Sequence, residues 1–137
     1  MSLIAKSIMN PARAVEAGTS LDEAARIMEV QRISSLPVTE TDGKLIGILT
    51  KTDLLHEALS QRDAFSGRSV ADAMSPAVVT CGPDSRVSEI SELMRQHRVH
   101  HLMVTDGNAK LLGVVSSLDL AARVIDLCEM IDNLGAI

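Results

Sequence analysis

Aromatic residues are almost missing from this chain: one Phe, no Trp and no Tyr in 137 residues. Any core must therefore be packed from Leu, Ile, Val, Met and Ala, and a hydrophobic share of 46% is enough to build one. Long apolar runs are missing too, with none reaching the ~18 to 20 residues of a membrane span. The opening residues Met1-Ser2-Leu3-Ile4-Ala5-Lys6 lack the basic segment and apolar stretch of a secretory signal. Cysteine is scarce. Cys81 and Cys128 have no metal-type spacing and read as free thiols of a cytoplasmic protein. Basic charge is in deficit, and the net charge of -5 disfavours nucleic acid as a partner. A small anionic ligand held by a few local donors remains compatible with it.

What the chain does have is an internal repeat. Ser7-Ile8-Met9-Asn10-Pro11 is echoed by Asp72-Ala73-Met74-Ser75-Pro76, and one inserted residue later the register holds through Leu21/Val87, Met28/Met94, Leu36/Leu102, Val38/Val104, Gly47/Gly113, Asp53/Asp119 and Leu54/Leu120. Within each copy an extended piece (Ala14-Val15; Val78-Val79-Thr80) precedes a helical stripe. Ser20 with Glu23 forms a capping-box signature for the first stripe, and Asp84 or Ser85 is the expected cap of the second. A hairpin follows, with turns expected at Asp42-Gly43 and Asp106-Gly107. A second helix then starts at Lys51 or Thr52 in one copy and at Ser117 in the other.

The expected fold class is α+β: two βαββα units of similar size, packed sheet to sheet about a pseudo-twofold axis because a sheet that small buries too little alone. Residues 1–59 form the first repeat with its N-terminal segment, 60–69 a polar linker, 70–125 the second repeat and 126–137 a helical tail. Phe65 lies in the linker and is expected to anchor it rather than the core. The tail keeps apolar helical spacing through Val124, Leu127, Met130 and Ile131, which fits covering a face of the module or meeting a partner.

The stretch Gly47-Ile48-Leu49-Thr50-Lys51-Thr52-Asp53-Leu54 and its twin Gly113-Val114-Val115-Ser116-Ser117-Leu118-Asp119-Leu120 carry the chemistry. A hydroxyl followed three residues later by Asp at a strand-to-helix junction has two readings. It is a helix cap, or it is a pair of groups that can hold ligand hydroxyls, since a carboxylate accepts two hydrogen bonds well. His97, His100 and His101 have no Cys, Asp or Glu beside them to complete a metal set, so no metal is expected. Met28, Met94 and Met103 read as core filler or cleft lining. Lys44 and Lys110 read as surface charges, and no nucleophile motif supports an enzyme.

The paired Gly-apolar-apolar-Thr/Ser-x-x-Asp endings, with the preceding Ile33-Ser34-Ser35-Leu36-Pro37, resemble a tandem of cystathionine β-synthase (CBS) domains, a Bateman module. The resemblance covers about residues 7–59 and 70–125. It implies two clefts between the repeats that hold AMP, ADP, ATP or S-adenosylmethionine, a homodimer shaped as a flat disc, and regulation of an enzyme, channel or transporter without catalysis or a required cofactor. Carried over by position, the first-choice cleft has Ser116 and Asp119 at the ribose, with Ile33, Ser34, Ser35, Pro37 and Val114 lining the base. The second has Thr50 and Asp53 at the ribose beside Ile48, with Val99, His100, His101 and Met103 at the base. Met103 replaces the usual proline there, and two histidines stand where the first cleft has two serines. The rival reading is a dimerisation or scaffold module that senses no small molecule.

Overall fold

A computed structural model describes residues 3–135. Residues 1, 2, 136 and 137, the extreme ends of the first repeat and of the tail, lie outside the described residues. The first repeat contains β1 (Val15–Glu16), α2 (Leu21–Gln31), β2 (Ser35–Thr39), β3 (Leu45–Thr50) and α3 (Lys51–Ser60). The second contains β4 (Thr80–Cys81), α5 (Val87–His97), β5 (His101–Thr105), β6 (Leu111–Ser116) and α6 (Ser117–Gly135). Each repeat is thus βαββα, with sheet orders β1-β2-β3 and β4-β5-β6. The outer strand of each sheet is parallel to its neighbour, as the helical crossover demands, and β2 and β3 are antiparallel across their short turn.

Two four-residue helices precede the repeats and have no counterpart in the sequence expectation: α1 (Ala5–Ile8) and α4 (Val70–Ala73). One turn of helix carries no readable period, which is why the pattern missed them. Their destinations are exchanged. Ala5 and Ile8 are buried in the cluster of Ile90, Met94, Leu102, Val104 and Val115, which belongs to the second repeat. Val70 is buried with Leu21, Met28, Leu36, Val38 and Leu49 of the first. Backbone hydrogen bonds repeat the exchange: Ala5 and Lys6 donate to Ser85 and Pro83 ahead of α5, while Val70 and Ala71 donate to Thr19 and Ala17 ahead of α2. The chain accordingly divides into two compact units. One holds the second repeat and the segment up to Pro11; the other holds residues 12–78 and the hairpin tip 107–111.

Several local expectations shift for identifiable reasons. The Ser20 hydroxyl caps α2 through the Glu23 amide, but the Glu23 carboxylate pairs with Arg26 instead of closing the box. Helix α5 starts one residue beyond the expected caps: Arg86 is its N-cap without a side-chain bond, and the Ser85 hydroxyl is spent on the Gly82 amide. Phe65, in a short 3-10 turn, packs against the first-repeat cluster, so it anchors the linker by touching the core. Arg68 ties the same linker to Glu57 of α3 at 2.6 Å.

In the second hairpin the turn falls at Gly107-Asn108, and the left-handed residue is Ala109 (φ 63), the register partner of Gly43 (φ 88). The Asp106-Gly107 dipeptide points one residue too early for the turn and two too early for the left-handed residue. Left-handed residues also end α2 and α5, where Arg32 and Arg98 (φ 53 each) donate back to Met28 and Met94. A β-branched side chain is strained in that conformation, whereas glycine is not. Urea unfolding is therefore expected to show Arg98→Val destabilised by about 1–2 kcal/mol and Arg98→Gly at least as stable as the parent.

Both cysteines are free; Cys81 is buried and Cys128 exposed. Burial pushes the Cys81 thiol pKa up, which suppresses the reactive thiolate. A thiol reagent at neutral pH is expected to modify one site rapidly, Cys128, with Cys81 following only under denaturant. Rapid two-site modification of the native protein would contradict this placement.

Candidate functional site

The two strand-to-helix junctions have the same geometry. At the first, the Thr50 hydroxyl accepts from the Asp53 amide at 3.1 Å, and Asp53 Oδ2 accepts from the Thr50 amide at 2.8 Å. At the second, the Ser116 hydroxyl accepts from the Asp119 amide at 3.1 Å, and Asp119 Oδ2 accepts from the Ser116 amide at 2.7 Å. Both are closed capping boxes in which hydroxyl and carboxylate satisfy helix-start amides that would otherwise lack partners. The same backbone carries the neighbouring candidates. Ser35 pairs with Thr50, and Ser34 accepts from the Lys51 amide, so Ser34, Ser35, Thr50 and Asp53 gather in one unit. His100 accepts from the Ser117 amide through its carbonyl, which brings His100 beside Ser116 and Asp119 in the other.

Ser34, His100 and His101 are exposed; Ile33, Ser35, Ile48, Val99 and Val114 are half-buried; Pro37 and Met103 are buried. Each of the two residue sets carried over from the family pattern draws on both units. Within a unit, the structure unites the members just named.

The junctions differ in one residue that the sequence reading passed over. Asn10 Nδ2 donates to Asp119 Oδ1 at 3.0 Å, so both oxygens of that carboxylate are engaged. The register partner of Asn10 is Ser75, whose shorter side chain accepts from the Ala77 amide instead. Among the described residues, Asp53 Oδ1 takes no hydrogen bond. The only signal for this asymmetry was the Asn/Ser mismatch within the otherwise matched segments before Pro11 and Pro76.

Those segments also explain the motif glycines. Asn10 exchanges two 2.9 Å backbone bonds with Val114, and Ser75 does the same with Ile48. A Cβ on Gly113 would lie 2.8 Å from the Asn10 carbonyl oxygen, and one on Gly47 would lie 2.9 Å from that of Ser75. The glycines let a second backbone cross the strand just before each junction.

Among the described residues no cluster of His, Cys, Asp and Glu fits a metal ion, and no helix is long and apolar enough to cross a membrane. Comparison with known proteins adds the lineage. The family model for the CBS domain matches twice, at residues 5–60 and 70–126. The chain belongs to the CBS-domain family. As a CBS pair it resembles an uncharacterised 17.7 kDa protein of Acidianus ambivalens, 31% identical over 85% of this chain and 69% of that one. It also resembles homoserine O-acetyltransferase of Methanohalobium evestigatum, 32% identical over 80% of this chain but 22% of that protein. The chain spans about a fifth of the length of the first curated relatives it matches, among them a human 5'-AMP-activated protein kinase gamma-3 subunit at 30% identity.

Of the solved structures, a CBS domain pair in complex with 5-methylthioadenosine and S-adenosyl-L-methionine is 26% identical, with TM-score 0.76 over 90% of this chain and 97% of that one. A Vibrio cholerae protein assigned to acetoin utilization (AcuB) shares the fold at TM-score 0.85, with 22% identity over 97% of this chain and 98% of that one.

Proposed function

We propose that this CBS pair is a regulatory module that binds an adenosine-containing ligand (AMP, ADP, ATP or S-adenosylmethionine) and modulates a partner enzyme or transporter, on a separate chain or a longer one. The observation that carries the reading is the capping geometry itself. It fixes two carboxylates at helix starts and uses one oxygen of each for the cap; Asp53 keeps its other oxygen for ribose hydroxyls, and Asp119 can offer only the lone pairs it does not share with Asn10. Support comes from the relative solved with 5-methylthioadenosine and S-adenosyl-L-methionine. In this proposal Ser116 and Asp119 hold the ribose of one ligand, with Ile33, Ser34, Ser35, Pro37 and Val114 at its base. Thr50 and Asp53 hold that of another, with Ile48, Val99, His100, His101 and Met103 at its base. Two free thiols fit a reducing compartment such as the cytoplasm. A ligand acts as a signal only if it binds two arrangements of the module unequally.

Calorimetry and thermal shift with the four compounds test this. A binder at a hundredfold excess over its Kd stabilises the fold by roughly 2.7 kcal/mol. Asp→Asn is the informative substitution, because the remaining carbonyl oxygen still caps the helix while the amide can no longer accept from a hydroxyl. Asp119→Asn and Asp53→Asn are each expected to weaken binding at their own site about tenfold or more; the unliganded melting temperature should stay nearly unchanged for Asp53→Asn and fall for Asp119→Asn, whose new amide donor faces the Asn10 amide. Silence from every adenosine compound, or Asn variants that bind like the parent, would sink the assignment.

The closed capping boxes favour a second reading, in which the junctions only stabilise helices and the module is a ligand-free dimerisation scaffold. That reading expects no nucleotide shift at all and a loss of stability in Asp→Ala of about 1 kcal/mol.

A further inference from the structure

The two junctions are built alike and equipped differently. Backbone bonds of 2.9 Å hold Asn10 against Val114 and Ser75 against Ile48, so positions 10 and 75 stand at the same place beside equivalent strands. From that place the Asn10 amide reaches Asp119 Oδ1 at 3.0 Å, while the Ser75 hydroxyl takes the Ala77 amide at 3.3 Å. Asp119 therefore starts with a donor on each oxygen, the Ser116 amide on Oδ2 and Asn10 on Oδ1. Among the described residues, the Asp53 carboxylate has the Thr50 amide alone, on Oδ2. Both aspartates are half-buried, so a ligand can reach either.

A carboxylate has about four lone-pair directions, two to an oxygen. Oδ1 of Asp53 keeps both of its own, so the neighbouring hydroxyls of a ribose can donate one bond to each oxygen. At Asp119 the second hydroxyl meets an oxygen already bonded to an amide. It must take a poorer direction or displace Asn10, and the bond it would break is stabilising because its acceptor is charged. The backbone pin on Val114 presents the amide to Asp119 before any ligand arrives, so little ordering is lost in forming that bond.

We propose that Asn10 is a positioning residue that makes the junctions unequal receptors: Asp53 takes both hydroxyls of a ribose, and Asp119, shared with Asn10, takes one. The inference rests on the adenosine reading above and adds which junction grips the ribose harder and which residue decides it. It reverses the order set by the residues opposite each junction, in which Ser116 and Asp119 come first. It also separates the ligands by class. The Asp119 junction tolerates a sugar with one hydroxyl, and the Asp53 junction selects for the pair.

Calorimetry on the full chain is the test, with AMP, ADP, ATP and S-adenosylmethionine as probes, then the 2'-deoxy and 3'-deoxy forms of the tightest binder. Asp53→Asn leaves the Asp119 junction to be read alone, and Asp119→Asn leaves that of Asp53. At Asp53 each deoxy form is expected to bind about three- to tenfold more weakly than the ribose form. At Asp119 only one of the two is. Adding Asn10→Ser should make Asp119 sensitive to both and tighten the ribose form there by about three- to tenfold. Ser75→Asn carries the amide to the same place beside Asp53 and should do the reverse. Because it removes nothing from Asp53, it keeps the test decisive if Asn10→Ser folds poorly.

Each comparison is made within one site, so the different residues lining the two bases cancel. A purely structural Asn10 would lower the melting temperature in Asn10→Ser and leave the deoxy pattern untouched, which overturns the proposal. Equal losses for both deoxy forms at Asp119 with Asn10 in place overturn it as well. If no adenosine compound binds at either junction, the adenosine reading fails and this inference falls with it. Binding that ignores both Asn10→Ser and Ser75→Asn sinks this inference alone.

Discussion

Adding one methyl group at Gly113 is expected to destabilise the protein by about 1–3 kcal/mol, and the same change at Gly47 by a similar amount. The new Cβ of Gly113→Ala meets the Asn10 carbonyl oxygen at 2.8 Å and Met9 Sδ at 3.0 Å. That of Gly47→Ala meets Met74 Sδ at 2.8 Å and the Ser75 carbonyl oxygen at 2.9 Å. A methionine can swing aside, but the carbonyl is held by a backbone bond to the next residue of the same strand. Relief therefore requires the crossing segment to lift away, which breaks the pair of bonds between Asn10 and Val114 or between Ser75 and Ile48. For a chain of this size the cost corresponds to a melting temperature lower by roughly 4–15 °C.

The other glycines calibrate the result. Gly18, Gly67 and Gly107 face open space, so alanine there is expected to stay within about 0.5 kcal/mol of the parent. Gly43 is also unobstructed but left-handed, and should fall between the two groups at about 1 kcal/mol. Denaturant unfolding of the six variants gives the order directly. If Gly113→Ala melted with Gly107→Ala, the close crossing would be wrong.

How much of this could be read from residues alone differs from element to element. The repeat register placed Gly47 opposite Gly113 and Asp53 opposite Asp119, and the hairpin strands and long helices sit where the sequence patterns put them, while the leading strands fall one or two residues later than expected, at Val15–Glu16 and Thr80–Cys81. The family was legible from those junctions, and the double match of the CBS model agrees with it. What escaped were features without a period. Helices α1 and α4 are one turn each, and a register offset says which segments correspond, never which core receives them. The turn at Gly107-Asn108 was obscured because Asp106-Gly107 is good turn chemistry two residues from where the left-handed residue is needed. The missing cap of α5 depends on Ser85 preferring the Gly82 amide, a choice between two short-range partners that composition does not decide.

The candidate site was legible to a similar depth. Hydroxyl and carboxylate at each junction were found, and so were both of their readings; the structure shows the capping geometry explicitly. Asn10 was not found, because its contact spans 109 residues and comes from the exchanged segment. Its amide changes what Asp119 can offer. A ribose bound there shares the carboxylate with Asn10, while one bound at Asp53 meets an oxygen without a partner among the described residues. The sequence ranks the Ser116–Asp119 junction first because of the residues set opposite it, and the Asn10 hydrogen bond separates the two junctions in a way that ranking does not contain.

The exchange of leading segments carries the larger energetic consequence. Ala5 is fully buried among second-repeat residues, and its register partner Val70 is fully buried in the first-repeat cluster. Ala5→Asp would bury a carboxylate in an apolar cluster, a change expected to cost about 3–5 kcal/mol. The loss should appear as collapsed hydrogen-exchange protection in α5 and β5, rather than in α2 and β2, which residue 5 would touch if the repeats were contiguous blocks. Val70→Asp should do the opposite and strip protection from α2 and β2. Because either charge can unfold the whole chain, the milder Ile8→Val is the companion variant, at about 0.5–1.5 kcal/mol, with its loss again confined to α5 and β5. Protection lost from α2 and β2 on changing residue 5 or 8 would return the N-terminal segment to the first repeat. It would also remove the reason for the backbone crossing at Gly113, since Asn10 reaches Val114 only because α1 is seated on the second repeat's core.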